Sequence, residues 1–216
     1  MTPTNSKAIP PNNPQFLPYP DHALEHLTAR DPALGLAIQH FGRLERPVAP
    51  DPFTALASAI TGQLISTKAY DAIWARLKKE LQTVTPQTVY AAGPEALRAC
   101  GLTRNKAAAI HQAAAAILSS AFDLNAAATM DDEAAIHHLS SLKGIGRWSS
   151  EITLIHGFLR LNILSYGDAA IRRGMCNLYG VPTIGKDFFE TCKAAYSPYG
   201  SVASIYLWKS AFIEII

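Results

Sequence analysis

The spacing of apolar residues predicts a helical protein. Leu34, Ile38 and Phe41 lie three or four positions apart, and the same interval recurs from residue 53 to about residue 157. This period places apolar side chains on one face of an α-helix. Asp31-Pro32 and Thr85-Pro86 are typical of a cap followed by a first helical turn. No useful length of the chain alternates apolar and polar residues as a strand does, so we predict an all-α fold.

Two proline-rich stretches interrupt this pattern. Residues 1–18 carry prolines among Asn and Ser, which favours a flexible or extended segment. Residues 46–52 contain three prolines and indicate a linker. Farther along, residues 104–122 are rich in alanine and predict a long helix.

Composition narrows the class of protein. The 216 residues carry a formal net charge of +2, so no large polycationic surface is expected. The three cysteines lack the spacing of a disulfide framework or a metal site. No apolar run approaches the length of a membrane span, and residues 1–20 do not resemble a signal peptide. We therefore expect a soluble intracellular protein that does not bind membranes.

A glycine turn between two helical segments is the first candidate site. Gly144 and Gly146 lie one residue apart, which lets the backbone adopt a positive φ and expose its N–H groups. These groups begin the next helix, where the dipole favours an anion, and Lys143 and Arg147 add positive charge. The pattern predicts a phosphate-binding hairpin that uses the N–H groups of Gly144, Ile145 and Gly146. A plain reversal between two helices gives the same pattern.

Asp168 is the candidate for chemistry. It lies twenty residues after Trp148 and directly before Ala-Ala-Ile-Arg, at the start of a further helix. An Asp in that position is a common N-cap. A helix N-terminus also stabilises negative charge, so a capping role and a catalytic role are compatible.

The turn and the carboxylate together resemble the helix-hairpin-helix (HhH-GPD) superfamily of DNA glycosylases, of the 3-methyladenine DNA glycosylase II type. The matching residues are GIGRWSS at 144–150 and Asp168 at the expected separation. The resemblance implies an enzyme that flips alkylated bases out of duplex DNA and hydrolyses the N-glycosidic bond, which leaves an abasic site in base excision repair. Asp168 is then the catalytic carboxylate, which stabilises the positive charge that develops on the sugar.

The family's fold implies two helical lobes with the active site in the cleft between them. Residues 19–52 and 159–216 are expected to form one lobe, and residues 53–158 the other, with the helix-hairpin-helix motif at about 132–158. We expect no N-terminal β-lobe of the kind that longer members carry, because the residues before position 53 are too few for one. The implied partner is double-stranded DNA with a damaged base, bound by a monomer. The expected location is the cytoplasm, at the nucleoid, for a bacterial protein and the nucleus for a eukaryotic one.

A second resemblance lies at residues 61–66, TGQLIS, which are similar to the family's GQLxS motif. By pattern alone, Leu64 is an ordinary core residue of a helix–turn–helix. The resemblance implies that Leu64 is the wedge that fills the base stack where the target nucleotide leaves, with Gln63 beside the orphaned partner base. Ile65 is an equally apolar neighbour.

The resemblance also implies an aromatic pocket for an electron-poor base, formed by Trp148, Trp208 and Tyr166. A core position explains Trp208 equally well. Bifunctional relatives carry a nucleophilic lysine at the position of Trp148, and tryptophan cannot form an imine, so no lyase activity is expected. The chain departs from the family pattern at Ile152 and Gly167, which bears on its substrate range.

The family also implies contacts made by basic side chains and by the backbone of the hairpin. Phosphate contacts are expected from four basic residues, Lys143, Arg147, Arg172 and Arg173. Main-chain carbonyls near Ser140, Leu142 and Ile145 are expected to hold a monovalent cation, and no other cofactor is required. The segment GLTRNKAAAI at 101–110 resembles a GxxxxKAxxI segment of the family, to which we assign a packing role.

Two other functions fit parts of the sequence. A non-catalytic helix-hairpin-helix DNA-binding module uses the hairpin and basic residues alone, and has no need of Asp168 or of the aromatic residues near it. A glycosylase for deaminated or mismatched bases, such as uracil or hypoxanthine, keeps the chemistry but needs hydrogen-bonding groups in its pocket.

Overall fold

A computed structural model describes residues 14–212, which form eleven α-helices and one short 3₁₀ helix. Apart from one bridge between Phe16 and Pro47, these residues form no β-structure. The predicted all-α fold is therefore confirmed. Across the same residues, none of the helices is long and apolar enough to cross a membrane. The greater part of the segment predicted to be flexible, residues 1–13, lies outside the described residues.

The chain divides into two compact units. The central unit is Ala49–Phe158, and within the described residues the terminal unit is Pro14–Val48 with residues 159–212. The helices of the central unit are α3 (Pro52–Gly62), α4 (Thr67–Leu81), α5 (Pro86–Ala99), α6 (Arg104–Leu118), the 3₁₀ helix (Leu124–Ala128), α7 (Asp132–Ser140) and α8 (Arg147–Phe158). The helices of the terminal unit are α1 (His22–Arg30), α2 (Pro32–Phe41), α9 (Ala169–Tyr179), α10 (Lys186–Tyr196) and α11 (Gly200–Ser210).

Local sequence explains where many helices begin. Asp31 caps α2, Ser66 caps α4 and Thr85 caps α5, in each case by accepting a hydrogen bond from a backbone N–H of the first turn. The helix predicted over 104–122 begins as expected but ends at Leu118, and Ser120 then adopts a φ of 59°. Capping residues therefore predicted where helices begin more accurately than alanine content predicted where this helix ends.

In the central unit, α3 packs against α8. A Cβ added to Gly157 of α8 would lie 2.7 Å from the Ala55 Cβ and 2.9 Å from the Pro52 Cα, so this close approach requires glycine. Leu56 and Leu154 are fully buried in the core of the unit. Because the end of α8 meets the start of α3, the start of α8 lies beside the end of α3. The glycine hairpin and the turn at residues 63–66 are thus brought together.

The terminal unit contains a buried polar cluster. The Asp31 Oδ2 accepts hydrogen bonds from the hydroxyls of Tyr196, at 2.6 Å, and Tyr179. The two hydroxyl oxygens are 2.7 Å apart. Burial raises the pKa of both tyrosines well above the ordinary value, so both hydroxyls keep their protons.

Residues 15–17 and 46–48, which the sequence predicted to be flexible or a linker, form hydrogen bonds with each other in the structure. Leu17 is 3% exposed, and its N–H donates to the Arg46 carbonyl at 2.8 Å. The Val48 N–H donates to the Gln15 carbonyl at 3.1 Å. Residues 46–48 are therefore not a plain linker, because they pair with residues 15–17 inside the terminal unit.

Candidate functional site

The turn between α3 and α4 exposes an apolar side chain on a strained backbone. Leu64 has a φ of 54°, in the left-handed region, where a non-glycine residue costs about 1–2 kcal/mol. Its side chain is fully exposed, at 104%, whereas Ile65 is half-buried. Strain of this kind is concentrated at functional sites. Of the two apolar neighbours, Leu64 is the one that projects from the surface.

Gln63 connects this turn to the glycine hairpin. Its Nε2 donates to the Gly144 carbonyl at 3.1 Å and to the Ser149 Oγ at 2.8 Å. The first of these bonds joins residues 81 positions apart in the sequence, so no local pattern could indicate it. The side chain therefore has a structural role that the sequence did not predict. Its place beside a partner base stays a prediction.

The two glycines of the hairpin have different roles. Gly144 has a φ of 85°, and a Cβ added there would lie 2.7 Å from the Ala109 Cβ. Gly146, against expectation, does not adopt a positive φ, and no atom lies within 4 Å of a Cβ added there. The first glycine is required by the fold of the hairpin. The second leaves open space at the N-terminus of α8.

The interior of the hairpin corrects one expected contact. The Ile145 N–H donates to the Leu142 carbonyl at 3.1 Å and closes the turn, and the Ile145 side chain is buried. This N–H therefore serves the turn and is not presented to a ligand. The N–H groups of Gly144 and Gly146 remain the candidates for phosphate contact, and Lys143 beside them is exposed.

In the terminal unit, Asp168 caps α9. Its Oδ1 accepts hydrogen bonds from the N–H groups of Ala170, at 2.9 Å, and Ile171, at 3.1 Å. The residue is 7% exposed. The N-cap interpretation is thus confirmed, and the helix N-terminus stabilises negative charge on the carboxylate. A buried carboxylate held in one orientation by two N–H groups is suited to face a developing positive charge.

Comparison with known proteins identifies the family of this chain. Residues 57–196 match the family model described as HhH-GPD superfamily base excision DNA repair protein. The chain is 30% identical to DNA-3-methyladenine glycosylase 1 of Schizosaccharomyces pombe over 170 residues, which are 74% of this chain and 73% of that one. The chain belongs to the HhH-GPD superfamily. The resemblance drawn from GIGRWSS and Asp168 is therefore confirmed.

Two solved structures of such proteins share the fold. A DNA-3-methyladenine glycosidase from Bacillus halodurans has a TM-score of 0.74 at 31% identity, with 91% of each chain covered. The 3-methyladenine DNA glycosylase of Schizosaccharomyces pombe, in complex with abasic DNA, has a TM-score of 0.82 at 27% identity, with 90% of this chain and 98% of that chain covered.

In this HhH-GPD chain, Trp148 lies beside the exposed turn. Its ring atom Cη2 is 3.8 Å from the position of a Cβ added to Gly62, at the end of α3. The residue is half-buried. The central unit therefore gathers four of the residues singled out by sequence, namely Gln63, Leu64, Gly144 and Trp148.

Arg147 is engaged differently from the expectation. Its Nη1 and Nη2 donate to the two carboxylate oxygens of Glu133 at 2.8 and 2.5 Å, and its Nε donates to Glu151 at 2.9 Å. The hydrogen bond with Glu133 is the largest of the effects that raise the pKa of Arg147. The Glu151 side chain is only 4% exposed, so Arg147 supplies the positive charge that a buried carboxylate needs. These bonds join α7 to α8, and the contact of this exposed side chain with phosphate stays a prediction.

The two other basic residues named from the sequence lie on α9. The Arg172 guanidinium donates to the Tyr166 carbonyl and lies 5.2 Å above the Tyr166 ring. Tyr166 itself packs edge-on against Phe189, with ring centroids 5.1 Å apart. Arg172 therefore supports the segment before Asp168. Arg173 is exposed, as a phosphate contact requires.

Arg46 was missed by sequence reasoning. Its guanidinium lies 4.5 Å from the centre of the half-buried Trp208 ring, in cation–π geometry. The two residues are far apart in sequence, and the proline-rich context of Arg46 indicated only a linker. Trp208 is thus neither fully buried nor fully exposed, and its place in a base pocket stays a prediction.

The cation expected at the hairpin also stays a prediction. Carbonyl oxygens are suitable ligands for a hard cation, but the Leu142 carbonyl already accepts the Ile145 N–H. Among residues 14–212, no group of three or more His, Cys, Asp or Glu side chains could hold a metal ion.

Proposed function

We infer that this protein is a DNA-3-methyladenine glycosylase of base excision repair. Its relatives of that name match it at about 30% identity over most of both chains. The observation that carries the inference is the pairing of an exposed, strained Leu64 with the glycine hairpin through the Gln63 side chain. An apolar side chain that projects beside a phosphate-binding turn can insert between DNA bases, whereas in water its exposure gives no stabilisation.

Binding begins at the DNA backbone. The N–H groups of Gly144 and Gly146, at the N-terminus of α8, contact one phosphate, and Lys143 adds charge. The partner is double-stranded DNA that contains a damaged base, in line with the related glycosylase solved in complex with abasic DNA. Leu64 enters the base stack as the damaged nucleotide leaves it. The apolar side chain recovers part of the stacking energy lost, a few kcal/mol for one flipped base.

Asp168 performs the chemical step. A base alkylated on its ring carries positive charge, so it leaves with the electron pair of the C1′–N bond and becomes neutral. Positive charge then develops on the sugar, and the Asp168 carboxylate stabilises it. Water adds to C1′, and its proton passes to the carboxylate and then to solvent. The products are the free base and an abasic site.

The aromatic residues select the base. The half-buried Trp148 offers a π-face that attracts an electron-poor, cationic base more strongly than a neutral one. Guanidinium groups already lie over the Tyr166 and Trp208 rings, so stacking of the base on either ring uses its opposite face. Ordinary purines in the duplex carry no such charge, so they gain less from the pocket and leave the sugar less readily.

The reaction stops at the abasic site. A strand-cleaving relative needs an amine to form a Schiff base with the sugar, and Trp148 occupies the position of that lysine. We therefore expect no covalent enzyme–DNA adduct upon borohydride reduction, and no strand break before alkali treatment.

Single-turnover base release tests the proposal. Duplexes that each carry 3-methyladenine, 7-methylguanine, 1,N6-ethenoadenine, hypoxanthine or uracil are incubated with excess protein, and Asp168→Asn is the matched control. We expect release of the alkylated bases by the wild type, and its loss in the variant while DNA binding persists. DNA binding without release of any base by the wild type would contradict the enzyme and favour a DNA-binding module. Release of hypoxanthine or uracil alone would overturn the proposed substrate class.

A further inference from the structure

Lys106 lies at a distance in sequence from the exposed turn but contacts it directly. From the first turns of α6, its Nζ donates to the Thr61 carbonyl at 2.9 Å and to the Gln63 carbonyl at 2.5 Å. Thr61 is in the last turn of α3, and Gln63 immediately precedes Leu64. The sequence assigned this lysine to a packing segment, so the contact changes its interpretation.

The contact with Gln63 bears on the conformation of Leu64. The Gln63 carbonyl and the Leu64 N–H belong to the same planar peptide unit. Holding the carbonyl oxygen fixes the orientation of that plane, and therefore restricts the φ at which Leu64 sits. The Gln63 side chain is held from the other side by Gly144 and Ser149. The residue before the wedge is thus held at both its backbone and its side chain.

The arrangement contains two unfavourable features in contact. Burial lowers the pKa of Lys106, so the charged amine is kept there against a loss of hydration. Leu64 has a positive φ, which L-residues disfavour. The Lys106 amine donates charge-assisted hydrogen bonds to two carbonyls at the C-terminus of α3, and these bonds offset its loss of hydration. Thr61 and the C-cap residue Gln63 both lie at the end of α3, so Lys106 caps that helix. The bond to Gln63 also holds the peptide unit that contains the Leu64 N–H.

We propose that Lys106 is a positioning residue that holds the Gln63–Leu64 peptide so that Leu64 is aimed into the DNA base stack. This inference rests on the proposed function, because it assigns Lys106 to the wedge step of base removal. Lys106 itself does not touch the reacting atoms. It acts through Leu64, so its effect must vanish when Leu64 is absent.

The test uses the full chain and two readouts. Base release from 3-methyladenine DNA reports the whole reaction. The fluorescence of 2-aminopurine, placed next to an abasic-site analogue, reports insertion of the wedge and requires no chemistry. Lys106→Met keeps the apolar stem and removes the donors, Lys106→Arg keeps donors and charge, and Lys79→Met removes an exposed lysine of α4 as the matched control.

We expect Lys106→Met to lower both the release rate and the fluorescence rise by about tenfold, since two charge-assisted hydrogen bonds are lost. Lys106→Arg should restore most of both, and Lys79→Met should match the wild type. In a Leu64→Ala background, Lys106→Met should add less than about a twofold further loss, because coupled residues are not additive. Additive losses, or a Met variant equal to the wild type, would overturn the proposal.

A folding defect of the variant and a failure of the proposed function can each be distinguished from a failure of the positioning role. If Lys106→Met lowers the melting temperature so far that it is partly unfolded, Lys106→Gln, which retains an N–H donor, replaces it in the same cycle with Leu64→Ala. If the wild type releases no base yet its 2-aminopurine signal depends on Lys106 and Leu64 together, the proposed function fails and the positioning role stands. If base is released but neither signal depends on Lys106, the function stands and the positioning role fails.

Discussion

Two aspartates of the terminal unit have nearly the same local geometry. Asp31 and Asp168 each cap a helix, each accepts two backbone N–H bonds through Oδ1 at 2.9 and 3.1 Å, and each is 7% exposed. Their surroundings differ. The other oxygen of Asp31 accepts hydrogen bonds from two buried tyrosines, whereas Asp168 follows the Tyr166-Gly167 segment at the family's spacing from GIGRW. A cap by itself therefore does not reveal whether a carboxylate serves the fold or a reaction.

Activity should separate the two aspartates most strongly. We expect Asp168→Asn to lower single-turnover release of 3-methyladenine by about 10²–10⁴-fold, the range typical of a positioned acid or base. Asn still caps a helix, so the fold should persist. Asp31→Asn should leave the rate unchanged per folded molecule, as measured under the same conditions after its folded fraction is determined. Equal losses of activity in both variants would contradict a specific role of the Asp168 carboxylate in base release.

Stability should separate them in the opposite direction. We expect Asp31→Ala to lower the free energy of unfolding by about 3 kcal/mol, because it removes a cap and the carboxylate to which two buried tyrosine hydroxyls donate. Asp168→Ala should lower it by less, and the lost cap of α9 accounts for about 1 kcal/mol. Urea unfolding followed by circular dichroism measures both. A larger loss for Asp168→Ala would reverse the assignment of roles.

The hairpin glycines offer the same contrast in the central unit. Gly144→Ala should lower the free energy of unfolding by about 2 kcal/mol, since it combines a positive φ with a 2.7 Å approach to Ala109. Gly146→Ala should change stability by less than about 0.5 kcal/mol, because open space surrounds the new methyl group. It should nevertheless weaken binding to abasic DNA, which titration by fluorescence anisotropy measures. If Gly146→Ala bound abasic DNA as tightly as the wild type, the proposed phosphate contact at Gly146 would be wrong.

A substitution at Leu64 should increase stability and decrease activity at the same time. Leu64→Gly should raise the free energy of unfolding by about 1 kcal/mol, because glycine adopts a positive φ without strain. The same change should lower base release about tenfold, since the wedge is lost. Leu64→Ala, the matched control, loses the wedge but keeps the strain. If Leu64→Gly kept full activity, the exposed leucine would have no role on DNA.

The starts of several helices and the family of the protein could be predicted from the sequence. Caps such as Asp31, Ser66 and Thr85 act on N–H groups within three residues, so the sequence alone determines them. The spacing from GIGRWSS to Asp168 identified the HhH-GPD superfamily in the same way, because it is a property of the chain and not of its packing.

The partners of long side chains were decided only by the tertiary structure. The exposure of Leu64 rather than Ile65, and the bonds of Gln63 to Gly144, of Lys106 to Gln63 and of Arg147 to Glu133, all depend on which helices pack together. These bonds join residues 81, 43 and 14 positions apart. The sequence by itself therefore determined the helix starts, the family and the cap at Asp168. Packing decided which charges bind the protein itself and which side chain projects toward the proposed DNA.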